Sequence, residues 1–258
     1  MPAPPLKPMQ PASWRRQRVD WSERLRSPKA RDIGLALCDA MVGWDGGKGP
    51  PPSLDLMTAA LDSGAMWVSH SAAHELGLVL PLHGEPFDLA TGIWRSVRAL
   101  GRSRMAWEAG RICAAMTREQ AVAFRTLGLR DRSKLVRGDA TYVAAKSGLP
   151  ELLPVLLGLS RNEPEPSIRR HAEISSHLLD RGYLIEPSAF DGSAWDITVL
   201  CEETHPGEGK SRLSTMIKRS VVERLGPDRV AAELRRHAAD FSPCSWEVDG
   251  VDMTNPNK

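Results

Sequence analysis

Helix breaks, more than any other feature, limit what this chain can fold into. Residues 42–52 hold four glycines and three prolines in eleven positions, a composition that cannot propagate a helix. Further breaks fall at 160–166, with Pro164 and Pro166, and at 204–209. Between them the chain is written in helix formers. The 258 residues include 29 Leu and 28 Ala against 15 Val and 8 Ile, so the β-branched residues that strands prefer are scarce. Apolar spacing predicts a short helix over 54–61, with Ser53 as N-cap and Gly64 as stop. It predicts others over 93–100, 105–116, 149–157, 168–179, 211–225 and 229–241, and no long strand. Short helices joined by turns are the raw material of stacked helical hairpins. The expected fold is therefore mainly all-α: stacked helical hairpins in an irregular α-solenoid, spanning 32–241. A basic, Pro-rich arm (1–31) precedes it and a tail (242–258) follows.

Composition narrows the class of work. With 41% apolar and 26% charged residues the chain can bury a core, and no apolar run is long enough to span a bilayer. The cysteines, Cys38, Cys113, Cys201 and Cys244, are far apart and form no CxxC pair, which points to a reducing cytoplasm. Residues 1–12 are proline-rich and lack the apolar core of a signal peptide. The net charge of +2 hides an asymmetry, because residues 1–31 carry eight Lys/Arg and two Asp/Glu. There Trp14, Arg18, Trp21 and Leu25 mark one face of a helix capped by Ser13. Such a helix either packs its tryptophans on the domain or serves as a basic arm for acidic lipid, nucleic acid or protein. The rest of the chain has no basic excess of the kind nucleic-acid recognition shows. Arginines within 95–111 read as solvated helix faces.

Three short segments look alike around Gly84, Gly138 and Gly192, which lie 54 residues apart in both steps. In each, a glycine would turn the chain into the next hairpin. Residues 144–157 place Ala144-Ala145 before a Gly148 turn, and Glu151 then opens a leucine-rich helix. Residues 173–182 read as a second helix ending in Gly182, and Asp191-Gly192 as the turn of a hairpin finger beginning at Tyr183. These features resemble a degenerate ankyrin-repeat array. The resemblance implies a non-enzymatic protein–protein interaction scaffold without a cofactor, its contacts made by Tyr142 and Lys146 on a first helix and by Tyr183, Glu186 and Phe190 on a finger. A bacterial effector, delivered to a host cell, or a toxin-neutralising partner would suit such a module.

Other motifs point to different chemistry. Residues 204–211 resemble a Walker A loop, with Gly209, Lys210 and Ser211 in the phosphate- and Mg²⁺-binding places but Thr204 where the first glycine belongs. A nucleotide-binding enzyme is thus the alternative function, and it requires a helix opening at Lys210. His70 and His74 would share a helix face, as zinc ligands do, with His83 as a third candidate. The bland reading is a pair of surface histidines. Cys201 and His205 have the same spacing, with Cys201 read as a small core residue. Trp67, Trp94, Trp107 and Trp195 are candidate core or interface anchors.

Overall fold

The computed structural model describes residues 9–44, 49–189, 194–203, 210–236, 247–248 and 251–252. The protein is mainly helical, with a three-stranded antiparallel sheet near its C-terminal end. Helix α1 (Pro11–Arg24) opens on Pro11, with Gln10 and not Ser13 at the N-cap, and α2 (Pro28–Trp44) packs back on it. Trp14 and Trp21 are buried in the main core in edge-to-face contact, ring centroids 6.3 Å apart. The described part of the basic segment is thus folded against the helices, and the boundary expected at residue 31 falls inside α2. No helix among the described residues is long and apolar enough to cross a membrane.

Four helical hairpins follow. They pair α3 (Leu54–Leu61) with α4 (Met66–Val79), then α5 (Pro86–Ser96) with α6 (Ala99–Trp107). After the one-turn α7 (Ala109–Ile112) come α8 (Arg118–Leu129) with α9 (Lys134–Ala144), and α10 (Leu153–Asn162) with α11 (Pro166–Arg181). The second helices contact one another in series, α4 on α6, α6 on α9, α9 on α11. The predicted N-cap of α3 holds, the Ser53 hydroxyl accepting from the Leu56 N–H; the helix closes on Asp62 as C-cap, and Gly64, expected as the stop, turns two residues later at φ +79°. Gly182 ends α11 in the left-handed region, φ +78°, a conformation that costs a glycine no Cβ clash.

Several expected helices span a boundary in the structure. Val97 is extended between α5 and α6, so 93–100 is two helices meeting at a corner. The stretch 105–116 contains a break at Glu108, α7 and a 3-10 turn. Gly138 lies in the interior of α9, so it does not mark a hairpin entry as Gly84 does, and Gly192 lies outside the described residues.

The recurring unit is instead the fourth residue of each second helix: Ser69, Arg102, Arg137 and Arg169, spaced 33, 35 and 32 residues apart. Each reaches back to the carbonyls of its own hairpin turn: Ser69 to Leu61, Arg102 to Val97, Arg137 to Asp131, Arg169 to Glu163. The middle two also reach forward to the next hairpin, Arg102 to the Asp131 carboxylate (2.7 Å) and Arg137 to Glu163 (2.8 Å). Val68, Gly101, Val136 and Ile168, one residue earlier, are all buried. A line of paired arginines thus pins hairpin to hairpin. Arginines of 95–111 are not uniformly solvated, since Arg102 and Arg111 are buried.

The expectation of no long strand fails at the C-terminal end. Strand β1 (Tyr183–Pro187) pairs with β2 (Ala194–Glu203), which pairs with β3 (Lys210–Lys218), all antiparallel. The β1–β2 hairpin stands where the finger was expected, its tip at 190–193 lying outside the described residues. In β3, Leu213 and Ile217 alternate with Arg212, Ser214 and Met216, a two-residue period that the helical reading of 211–225 overlooked. Only α12 (Arg219–Leu225) is helical there, followed by α13 (Pro227–Arg236). Ile197, Val199 and Cys201 of β2 face Val221, Val230 and Leu234 in a separate small core. Leu200 points the other way, joining Ala145 and Leu178 at the seam with the hairpins, where its N–H donates to the Gly182 carbonyl at 2.9 Å.

Candidate binding face

The second helices present one face, and its chemistry comes from few residues. His74 of α4, Trp107 of α6 and Tyr142 of α9 each lie five positions past the recurring residue, so the stacking of hairpins lines them up. The rings of Trp107 and Tyr142 are stacked, centroids 5.3 Å apart and planes 6° from parallel. His171 of α11 meets Tyr142 edge-on at 5.4 Å. From β3, the Arg212 guanidinium lies 5.0 Å from the Tyr142 ring centroid, within cation–π range, so the sheet is tied to this face. Burial and the Arg212 charge hold the His171 imidazole below its ordinary range, which favours a neutral ring. Beside this row runs an open groove of about 470 Å³, with Leu135, Ile168, Asp139 and Lys134 on its walls. Trp107 and Leu135 remain 38% and 44% exposed, large apolar surface facing water.

Trp107 also borders a second cavity, of about 260 Å³, between α4, α7, α8 and α9. Its cationic lining is Arg111, Arg125 and Lys146, and its one carboxylate is Glu108. Gly77 of α4 makes room for α7, since a Cβ there would overlap the Arg111 carbonyl. Arg111 Nε donates to the His74 carbonyl at 2.9 Å. The Glu108 oxygens face the two histidines, with His74 Nδ1 at 3.2 Å and His70 Nδ1 at 3.7 Å. The longer distance is not a hydrogen bond, and His70 Nδ1 is buried without a partner. Burial, the largest influence, lowers the His70 pKa against the pull of Glu108. Arg125 projects from α8, and its Nε is buried with no hydrogen-bond partner. Desolvation pushes its pKa down, with only the Cys113 thiol opposing.

The residues singled out from sequence scatter. Tyr142 and Lys146 both lie on this face. Tyr183 is elsewhere, its hydroxyl donating to Asp228 at 2.7 Å, and Glu186 is ion-paired with Arg170. Phe190 lies outside the described residues. So do Gly209 and 204–208, while Lys210 and Ser211 begin an antiparallel strand opposite Glu203 and Cys201. The helix whose N-terminus a phosphate loop requires is therefore not present at Lys210. His70 and His74 do share a face of α4, but His83 is bonded to the Pro52 carbonyl at 2.9 Å. Among the described residues no group of three His, Cys, Asp or Glu could hold a metal ion. Cys201 is buried in the small core, and His205 lies outside the described residues. Trp94 is in the main core, Trp195 is half-buried against the small one, and Trp67 is exposed.

Sequence reasoning missed Arg125 and Arg212 because they meet the face from α8 and β3, and it missed Glu108 and Arg111, close after Trp107, because no motif sets them apart. His171 belongs to no motif in the sequence. No protein-family model matches the chain, and no curated protein or solved structure matches it either.

Proposed function

We propose that this chain is a helical-repeat scaffold, ankyrin-like or of another irregular solenoid type, that acts without catalysis by gripping another protein. The single observation behind this reading is the Trp107–Tyr142–His171 row on serially stacked second helices, beside an open groove and exposed Leu135. Stacked hairpins offer an extended stiff surface, and large, partly exposed aromatic side chains with few rotatable bonds are the side chains that anchor protein interfaces. The groove mixes apolar walls with Lys134, Asp139 and Glu165, which suits a protein segment better than a uniformly acidic polymer. A role as a bacterial effector or toxin-neutralising protein fits this module.

The test is comparative capture from the native host with the wild-type chain and a Trp107→Ala, Leu135→Asp variant. The reading expects a protein retained by the wild type and lost from the variant, with equal helicity by circular dichroism. Identical retention by both proteins overturns it.

A further inference from the structure

Native proteins pair buried charges or hydrogen-bond them, because an uncompensated guanidinium in the interior loses its hydration for nothing in return. The hairpin stack obeys this at Arg102 and Arg137, each facing a carboxylate. Arg125 does not: its buried Nε has no partner, and it borders a cavity that also holds Arg111 and Lys146. Glu108, the one carboxylate there, is turned to His70 and His74. Three cationic side chains and one carboxylate give the lining a formal charge of +2. Val143, Gly110 and Trp107 complete the walls.

We propose that this cavity binds a phosphate-class dianion, with Arg125, Arg111 and Lys146 as its cationic ligands and His70 as a neutral hydrogen-bond partner. A dianion matches the charge of the lining, and the volume admits a tetrahedral phosphoryl group with part of what carries it. Trp107 borders both this cavity and the open groove, so the group is either free or pendant on a segment lying in the groove. The proposal does not rest on the scaffold reading, since a free anion binds whether or not the groove grips a protein.

Thermal unfolding and calorimetric titration of the full chain test it, using inorganic phosphate against sodium chloride of matched ionic strength. The wild type is expected to show saturable binding and a phosphate-specific rise in Tm. Arg125→Met and Lys146→Gln should each weaken that affinity about tenfold or more, the order of one charge-assisted hydrogen bond. Lys146 is only half-buried, so its variant keeps the test valid if Arg125→Met folds poorly. A second arm compares a glycine-flanked phosphoserine peptide with its unphosphorylated form. Tighter, phosphorylation-dependent binding of the peptide than of phosphate assigns the group to a partner segment; equal or weaker binding assigns it to a free ligand. No saturable response to phosphate or phosphopeptide overturns the proposal, and so does a response that survives in both variants.

Discussion

Two regions of this protein treat buried arginine in opposite ways. Along the hairpin turns, Arg102 and Arg137 meet Asp131 and Glu163, whose side chains are only 6% and 4% exposed. Each guanidinium also donates to a backbone carbonyl, so its remaining donors are not stranded. Around the cavity, the Nε of Arg125 is likewise shut off from water, yet among the described residues no carboxylate pairs with it. The first arrangement is complete within the chain and its role is to hold hairpins in register. The second leaves the Arg125 Nε without a partner among the described residues, and that is the feature from which anion binding is proposed. Burial alone does not separate a structural arginine from a binding one; the partner does.

The largest effect expected from breaking this contrast is at Asp131. Asp131→Ala leaves the Arg102 guanidinium buried and unpaired, and also removes the acceptor of the Ser133 N–H. Loss of one partner of a buried pair costs about 3–5 kcal/mol. Urea unfolding should report most of that, and an Arg102→Met, Asp131→Leu double variant should recover much of it. If the double variant is as unstable as the single one, the pair is not an isolated unit. Arg125→Met, by contrast, removes a charge that already lacks compensation, and in phosphate-free buffer should leave stability unchanged or raise it. A loss comparable to that of Asp131→Ala would reclassify Arg125 as structural.

The next effect is a difference in slope. Arg137 holds the Glu163 carboxyl below its usual range, chiefly through their hydrogen bond. A depressed carboxyl contributes stability that is full above its unfolded pKa of about 4.3 and is lost as pH falls through the folded value. Glu75 is the reverse case. It is fully buried, accepts the Met9 N–H at 3.0 Å through one oxygen and leaves the other unpartnered, and burial raises its pKa. Its contribution is full below about 4.3 and is lost as pH rises through the folded value. Stability measured against pH should therefore lose its acid-side fall in Glu163→Gln and gain at neutral pH in Glu75→Gln. Parallel curves for the two variants would contradict these assignments.

How much of this was readable beforehand depends on whether a signal is local. The α3 helix was legible to the residue because Ser53 carries its own N-cap chemistry and Gly64 supplies the turn just beyond the helix end. The hairpin beginning at Tyr183 was reachable through Gly182 and the ankyrin resemblance, but β3 was not, because its alternation is irregular, with Met216 among the outward residues, and it depends on pairing with β2. The equivalence of the second helices is hidden in the sequence for a different reason. Ser69, Arg102, Arg137 and Arg169 look like surface residues in sequence, and what makes them equivalent is a carbonyl in a preceding turn. The glycines that do stand out, Gly84 and Gly138, occupy a hairpin entry and a helix interior. On the binding face, Tyr142 and Lys146 were reachable through the ankyrin resemblance, and the histidine pair through helical spacing. Arg125 was not, since nothing about an arginine in α8 says that its neighbours lack a carboxylate.

The smallest effect sharpens the same contrast from its exposed side. Arg118 and Glu151 join α8 to the start of the next hairpin with geometry as good as the buried pairs, 2.6 Å and 3.0 Å for two parallel contacts. Their side chains are 55% and 43% exposed, however, so water competes for both ions and solvates whichever is left. The fixed geometry that strands Arg102 when Asp131 is removed therefore has no equivalent here. Arg118→Gln should shift the urea midpoint by no more than the error of the measurement, and any small shift should vanish in molar salt. A loss approaching that of Asp131→Ala would mean that the contact itself, and not the absence of water around it, sets the strength of these inter-hairpin pairs.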